Sequence, residues 1–531
     1  MRVIVAGAGI GGLTTALSLH AAGIDAVVID SAASLLPLGV GINLMPHAVR
    51  ELTELGLGDE LAATGIPTAE WAHFDRHGNR IWGFACGQHV GYHWPQYSIH
   101  RGELQMILLA AVRARLGAGS VRVGNAFVSF ADSPADVEVR VRDRASGTVS
   151  ALRADVLVGA DGLYSGVRAQ LHPDEPAPRW SGIMMWRGVL EGEPFLSGRT
   201  VAVAGANANL KFVAYPISRR AEARGRAVLN WVAEVRQPDS QAGPERADWN
   251  RRGRARDVRP WFADWKFGWL DVPALIASSP RILEYPMVDR DPLPFWGHGV
   301  PWGHGRVTLL GDAAHPMYPI GANGGSQAII DARVLAYSLA RAATPADGLA
   351  AYEMTRRETV NAIVLACRDM PADRMLHRVS VRAPDGFDRI EDVLSAAELA
   401  AFEDAYRATT LLDAAALNAR AALTPGRPGL RRDGPALPVV GRGVGVVDDD
   451  LGVLGRLVDG LHGDPPGTEE PGPDAAVAPP AVPEGEAHVP RVLQVQGHPD
   501  RHVPVQQRAR LDEQALTRLQ VADEGVARRV Q

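Results

Sequence analysis

Three short stretches of this chain carry residue types at spacings that could do chemistry. The first, Gly7-Ala8-Gly9-Ile10-Gly11-Gly12, satisfies GxGxxG with Gly7, Gly9 and Gly12. In that pattern the first glycine permits a tight turn and the second lets a pyrophosphate approach the backbone. The third lets a helix pack closely on its strand. The helix that follows would point its N-terminus, equivalent to about +0.5 charge, at the phosphates. Asp30 stands 18 residues beyond Gly12, at the end of a second apolar run, where a carboxylate binds ribose hydroxyls. The second stretch is Gly159-Ala160-Asp161-Gly162, trailed by Ser165 and Arg168. The third is Gly311-Asp312-Ala313-Ala314-His315, which leads into Pro319-Ile320-Gly321-Ala322-Asn323-Gly324-Gly325. Each follows an apolar run and so sets an Asp at the carboxyl end of a strand, where α/β sheets bind ligands. Either Asp alone is equally a helix N-cap; three such sites in order point to one nucleotide.

The elements that must position these stretches follow from hydrophobic period. Val3–Ala6 and Ala26–Ile29 read as buried strands, with Ile10–Ala22 as the helix between them. Pro46–Leu57 and Glu103–Leu116 read as helices. Val137–Val141 reads as a hairpin arm paired with the stretch before Asp155, and Val156–Val158 as another buried strand. A βαβ opening that returns to the same sheet predicts a doubly wound, Rossmann-like α/β domain. Residues 181–295 hold half of the tryptophans and read as an inserted mixed or antiparallel sheet. Its strands are Ile183–Val189, Val201–Ala204, Lys211–Ile217, Ala227–Val235 and Ile282–Val288, with a helix over Arg256–Trp265. Val307–Leu310, Ser326–Ala342 and Ala346–Cys367 then return to strand and long helices. The expected organisation is a discontinuous cofactor domain (1–180 and 296–370), a substrate-binding sheet domain (181–295), a helical extension (371–424) and a tail (425–531). After Tyr406 there is no Phe, Trp, Tyr, Ile, Met, Cys or Lys. Such a tail buries too little apolar surface to offset chain ordering, so it is expected to be disordered, or to be a frameshift or read-through product. Trp296-Gly297-His298-Gly299 recurs as Trp302-Gly303-His304-Gly305 just before the third-zone strand, a duplication that lengthens a loop.

Bulk properties narrow the function classes. A formal net charge of −6 gives no footprint for nucleic acid or an anionic membrane. Two distant cysteines, Cys86 and Cys367, make neither a disulfide framework nor a zinc site, and no metal site is expected. Met1-Arg2 runs straight into a strand pattern, without an export signal or a membrane-length apolar run, so a cytoplasmic protein is expected.

The GxGxxG, Asp161-Gly162 and Gly311-Asp312 trio resembles the group A FAD-dependent aromatic monooxygenases, the family with the p-hydroxybenzoate hydroxylase fold. Four longer stretches resemble its phenazine-pathway branch, of the 5-methylphenazine-1-carboxylate 1-monooxygenase type. These are Pro37-Leu38-Gly39-Val40-Gly41-Ile42-Asn43, Pro95 to Gln105, Tyr285-Pro286-Met287-Val288-Asp289-Arg290-Asp291-Pro292, and Gly321 to Asp331. The resemblance covers about residues 1–370. It implies FAD as cofactor and NADH or NADPH as reductant. Oxygen would be held as a C4a-hydroperoxide and passed to an electron-rich ring, here a phenazine carboxylate or related aromatic carboxylate, with decarboxylation where the hydroxyl replaces it. By position, Gly7, Gly9, Ile10, Gly11 and Gly12 would lie on the pyrophosphate and Asp30, with Ser31, on the adenosine ribose. Val40 and Arg101 would border the flavin phosphate or ribityl, and Asp312 the ribityl chain. Asp161 would support flavin and nicotinamide, and Gly321, Ala322, Asn323 and Gly324 would border the isoalloxazine.

For the substrate pocket, Arg187, Lys211, Phe212 and Tyr215 are candidates from the strand-rich zone, with Trp186 and Trp231 beside them and Pro319 from the glycine-rich loop. Lys211 or Arg187 would anchor a carboxylate. No catalytic acid or base is assigned, and His315 reads as structural. Expected partners are a small aromatic substrate and O2, in a monomer or homodimer. Ser326-Gln327 departs from the glycine-spaced Asn of many members, and the Trp-Gly-His-Gly repeat threatens the register of the strand before Asp312. The alternatives are a salicylate- or 3-hydroxybenzoate-type hydroxylase, or a flavin-binding remnant without turnover. Flavin halogenases carry WxWxIP, which Trp265-Lys266-Phe267-Gly268-Trp269 does not match.

Overall fold

Five parallel strands form the sheet that carries all three motifs. In spatial order they are Val307–Leu309, Val156–Gly159, Arg2–Ala6, Asp25–Ile29 and Val121–Arg122. The runs Val3–Ala6 and Val156–Val158 at the centre of the sheet are apolar on both faces because helices cover both sides, as a parallel sheet requires. Ile10–Ala21, Arg101–Leu116 and Asn323–Arg341 supply most of that cover. An antiparallel three-strand meander, Asn125–Asp132, Val137–Asp143 and Val149–Ala154, includes the expected hairpin. The computed structural model describes residues 1–238, 248, 250–297, 304–369, 371–402 and 414–423. The tail at 425–531 and Trp302-Gly303 of the repeat lie outside the described residues. The strand beyond that repeat keeps its register: Leu157 pairs with Val307 and Gly159 with Leu309, which leaves Gly311 just past the sheet edge.

The second sheet is mixed and has eight strands. Arg252–Gly253, Ile282–Asp289, Arg179–Gly192, Ala227–Arg236, Leu210–Pro216 and Thr200–Gly205 come from the zone where strands were expected. The last two, Glu70–Phe74 and Arg80–Ala85, come from the first 180 residues. Thr200–Gly205 pairs in parallel with Glu70–Phe74, so the chain enters this sheet long before residue 181. Local pattern marks a short strand but does not tell which sheet it joins.

Several element ends also move. The helix expected over Arg256–Trp265 is a turn at Ala255–Val258 followed by a 3-10 turn at Arg259–Phe262. Pro260 cannot donate the hydrogen bond that would continue the α-helix. Pro46–Glu54 stops before Gly56, which takes φ +72°, and Gly58–Thr64 forms a separate helix. Asn323–Arg341 begins three residues earlier than apolar period indicates, because its first turn is glycine. Among the described residues, no helix is long and apolar enough to cross a membrane.

Alternation divides the large sheet into two faces. Trp186, Leu229, Trp231, Phe212 and Ala214 face one way, into a core with Phe262 and Trp265. Val201, Val203 and Tyr215 face the other way, beneath Ala372, Met375, Leu376 and Val379 of helix Pro371–Arg382. Under the start of that helix, Lys211 Nζ sits 3.1 Å from Glu234 and 3.4 Å from Asp373, all three side chains buried. Burial alone would lower the lysine's pKa, but Asp373 and Glu234 hold it above its ordinary value. Burial raises the Glu234 carboxyl against the pull of Lys211. Replacing the cation leaves two buried carboxylates without compensation. Lys211→Met is therefore expected to cost about 3–5 kcal/mol of stability at neutral pH. The cost should shrink as the pH falls and Glu234, whose pKa burial raises, protonates. Urea melts of both proteins at pH 5 and pH 8 measure it, and equal melts at pH 8 would remove the triad from the stability account.

Candidate active site

Because the five strands run parallel, their carboxyl ends open on one edge, and backbone bonds carry the three motifs past it. Gly7 N donates to Ile29 O at 2.7 Å, Ala160 N to Ala6 O at 2.8 Å, and Leu310 N to Gly159 O at 2.9 Å. Gly7 takes φ +110°, and a Cβ there would lie 2.3 Å from Ala160 O. A Cβ on Gly12 would lie 1.9 Å from Gly7 O, so the loop closes only on glycine. A Cβ on Gly9 would meet nothing within 4 Å, which leaves the start of the 12-residue helix Ile10–Ala21 open, with no side-chain cap. Its first N–H groups thus have no capping side chain, as an anion site requires. Asp30 is held beside this loop, accepting Ala8 N and Ala32 N, each at 2.7 Å. Gln105, to which no role was given from sequence, donates to Ala8 O at 2.7 Å and ties helix Arg101–Leu116 to the glycine loop. These features fit a dinucleotide: a bare helix N-terminus, an acid at the next strand end, and a cradle that any side chain would fill.

Helix Arg101–Leu116 begins against the segment around Val40. Arg101 N donates to Val40 O at 2.9 Å, and a Cβ on Gly102 would lie 2.3 Å from Pro37 C. Val40 is buried, Arg101 is exposed, and Ser31 lies exposed past the second strand. Asp161 is anchored to the turn that follows it. Its carboxylate accepts Ser165 Oγ at 2.5 Å and Gly166 N at 2.7 Å, so it braces the turn into Gly166–Leu171, whose N-cap is Ser165. Burial pushes its pKa up despite those bonds. Arg168, fully buried, then joins the second motif to the third by donating to Ala313 O at 3.0 Å and Ala314 O at 2.8 Å.

Asp312 sits half-buried on the turn Gly311–Ala313, 3.9 Å from where a Cβ on Gly324 would stand. Gly321 and Ala322 take φ +70° and +58°, two successive left-handed residues before helix Asn323–Arg341. The alanine holds that conformation at roughly 1–2 kcal/mol, and Pro319 lies exposed at the loop tip. The two departures noted in this stretch are both engaged. Ser326 Oγ accepts Met45 N at 3.2 Å, and Gln327 Oε1 accepts Arg356 at 2.6 Å.

The glycine-rich loop meets one face of the large sheet. Tyr318 and Ile320 pack with Ile183, Met185, Tyr285, Met287 and Cys367. On that same face, two residues beyond Met185, Arg187 lies buried with its guanidinium 5.3 Å from the Tyr285 ring centroid. Burial, then the neighbouring Arg101, lower its pKa to about 10, against Tyr285 and Tyr215. Tyr215 is buried close by, 2.7 Å from where a Cβ on Gly41 would stand, and Gly41 N donates to Asn230 Oδ1 at 2.7 Å. Burial raises both phenols well above their ordinary pKa. Two other pocket candidates fall away. Phe212 points to the opposite face, stacked on Trp231 with centroids 5.8 Å apart, as do Trp186 and Trp231. Lys211 is held by Glu234 and Asp373. Neither Tyr285, quoted only within a family-like stretch, nor Asn230 has a pocket role in the sequence reading, because alternation alone does not say which sheet face meets the loop.

The family of FAD binding domains matches residues 1–256 and 299–366. The chain is 52% identical over 371 residues to a phenazine 1,6-dicarboxylic acid hydroxylase of Lysobacter antibioticus, covering 69% of this chain and 89% of that protein. It is 33% identical to an aurachin C monooxygenase/isomerase of Stigmatella aurantiaca, covering 68% and 87%. A Klebsiella pneumoniae HpxO crystal structure, complexed with FAD and uric acid, aligns with a TM-score of 0.59 at 26% identity, covering 77% of this chain and 93% of that one. With this support, the chain belongs to the FAD binding domain family and is an FAD-dependent monooxygenase that hydroxylates an aromatic ring.

Proposed function

We propose that this enzyme uses NADH or NADPH and O2 to hydroxylate a phenazine carboxylate or a related aromatic carboxylate. The observation that carries the reading is Arg187: a buried guanidinium on the sheet face that packs against the glycine-rich loop, among tyrosine rings. The relative from Lysobacter antibioticus, which shares half of its residues with this chain over the aligned length, is named for a phenazine dicarboxylate. In this reading Gly7, Gly9, Ile10, Gly11 and Gly12 hold the FAD pyrophosphate on helix N–H groups, with Asp30 and Ser31 on the ribose. Val40 and Arg101 border the phosphate and ribityl, and Asp312 binds the ribityl chain. Pro319, Gly321, Ala322, Asn323 and Gly324 border the ring system. Asp161 contributes by fixing its own turn. FAD held there would supply the redox chemistry, hydride acceptance from NAD(P)H and transfer of one oxygen atom of O2 to an electron-rich ring, with the other oxygen leaving as water.

The protein's own residues orient and dry that reaction. Arg187 pairs the substrate carboxylate, a charge-assisted contact that strengthens where water is excluded. Tyr285, Met185 and Tyr215 present flat or polarizable surface to an aromatic ring. Ile320 and Tyr318 close the loop side against solvent. Hydroxylation at the ring carbon bearing the carboxylate would expel it as CO2.

Two outcomes are expected. Gly12→Ala forces a methyl into the Gly7 carbonyl, so the purified variant should be colourless and should not take up FAD by absorbance titration. A yellow, FAD-replete variant would move the pyrophosphate elsewhere. Arg187→Met should raise KM for phenazine-1-carboxylate roughly 10- to 100-fold, the worth of one charged hydrogen bond of about 1.5–3 kcal/mol. NADH oxidation stimulated by that acid, and by unsubstituted phenazine as control, reads this out. Equal KM for the acid in both proteins, or stimulation by salicylate alone, would sink the assignment.

A further inference from the structure

Beneath the turn that bears Asp312 lies a buried ionic cluster to which the mechanism above gives no role. Asp331, on helix Asn323–Arg341, is fully buried and accepts from three sides. Gly311 N donates to its Oδ2 at 3.2 Å, and His315 Nε2 lies 2.5 Å from the same oxygen. Arg356 Nε donates to Oδ1 at 2.8 Å. Since an ionised carboxylate only accepts, His315 must carry its proton on Nε2. Burial alone would lift the Asp331 pKa, but His315 and Arg356 hold it below the ordinary carboxylate range. The charge is therefore retained at a site where an unpaired one would be costly.

The cluster links two pieces of backbone that are 20 residues apart in the chain. One is the turn Gly311–Ala313. The other is the helix whose second residue, Gly324, stands beside Asp312. Rings fill the space behind: Trp296 lies 5.4 Å from His315 and 5.6 Å from Tyr352, centroid to centroid. Tyr352 Oη donates to Leu309 O at 3.1 Å, on the strand that leads to the turn but not to Asp331.

We propose that Asp331 is a positioning residue for FAD: it locks the Asp312 turn to the start of helix Asn323–Arg341, so that both walls of the flavin cleft keep one register. It acts through Gly311 N and touches no cofactor atom. The inference rests on the placement of Asp312 at the flavin proposed above.

FAD binding to apoprotein, followed by quenching of flavin fluorescence, tests this in four full-length proteins, with melting temperature recorded for each. Asp331→Asn keeps the shape and loses the charge. It should raise the FAD Kd roughly 10- to 100-fold, the size of effect that losing an outer-shell partner has at bound metals, and alter the visible flavin band. Tyr352→Phe, which loosens the same strand without touching the carboxylate, should lower the melting temperature and leave Kd within about twofold, well under the ~1.4 kcal/mol that a tenfold change represents. Unchanged Kd and flavin band in Asp331→Asn, or an equal rise in Tyr352→Phe, overturns the proposal. If Asp331→Asn does not fold, His315→Phe removes one donor and keeps the ring volume; it should weaken FAD likewise, and unchanged affinity there is equally decisive. Asp312→Ala separates the two levels. Weakened FAD there with intact affinity in Asp331→Asn rejects the positioning role alone, whereas unaltered FAD in Asp312→Ala removes the site reading and this inference with it.

Discussion

The structure depends on one close approach, in which Gly12 seats helix Ile10–Ala21 against the carbonyl of Gly7. A methyl at Gly12 would stand 1.9 Å from that oxygen, and one at Gly7 would stand 2.3 Å from Ala160 O. No rotamer choice relieves either contact, because the obstacle is backbone on both sides. Only with both glycines does the helix start directly over the strand ends, with its N–H groups facing outward. The neighbouring strands inherit this geometry through their ladder bonds, which carry Asp30 and the Asp312 turn to the same edge.

Buried charge then joins the parts that glycine brings near. Arg168 spans from the Asp161 turn to the carbonyls of Ala313 and Ala314, with Glu175 as its counter-ion. Arg356 and His315 hold Asp331 under the third motif. Arg333 joins helix Asn323–Arg341 to Glu51 and Glu54 on helix Pro46–Glu54. Such pairs add little net stability compared with a well-packed apolar core, but each is costly to break on one side. They therefore specify register: a turn displaced by one residue would strand a buried ion.

The large sheet separates two tasks by the alternation of its side chains. One face is an aromatic core of Phe212, Trp231, Phe262 and Trp265 that gives the sheet rigidity. The other face carries Met185, Arg187 and Tyr285 toward Tyr318 and Ile320. Lys211, also on that face, is matched by two carboxylates beneath helix Pro371–Arg382, and Arg187 lies against the Tyr285 ring. The same formal charge therefore serves structure at Lys211, and at Arg187 it is the carboxylate anchor proposed above.

Much of this was legible in the residues themselves. The glycine spacing, the apolar runs that precede each motif and the acid after the second strand state a nucleotide-binding sheet, because these are local demands of turn, helix start and strand end. The strands of the inserted sheet were readable for the same reason, from β-branched and aromatic runs of period two. Local pattern does not contain which strands become neighbours or which face of a sheet meets a distant loop. Glu70–Phe74 joins the second sheet through pairing with residues 130 positions away, and Phe212 turns from the cleft because Phe262 and Trp231 cover its face. The bonds of Asp161 to Ser165 and Gly166 add a structural task at a motif that the sequence marks for a ligand. The sequence by itself determined the glycine loop, the helix start over it and the acid after the second strand, because each of these is set by immediate neighbours in the chain. Only the tertiary structure decided the substrate side, since burial and charge pairing there are set by residues that long-range strand pairing brings together.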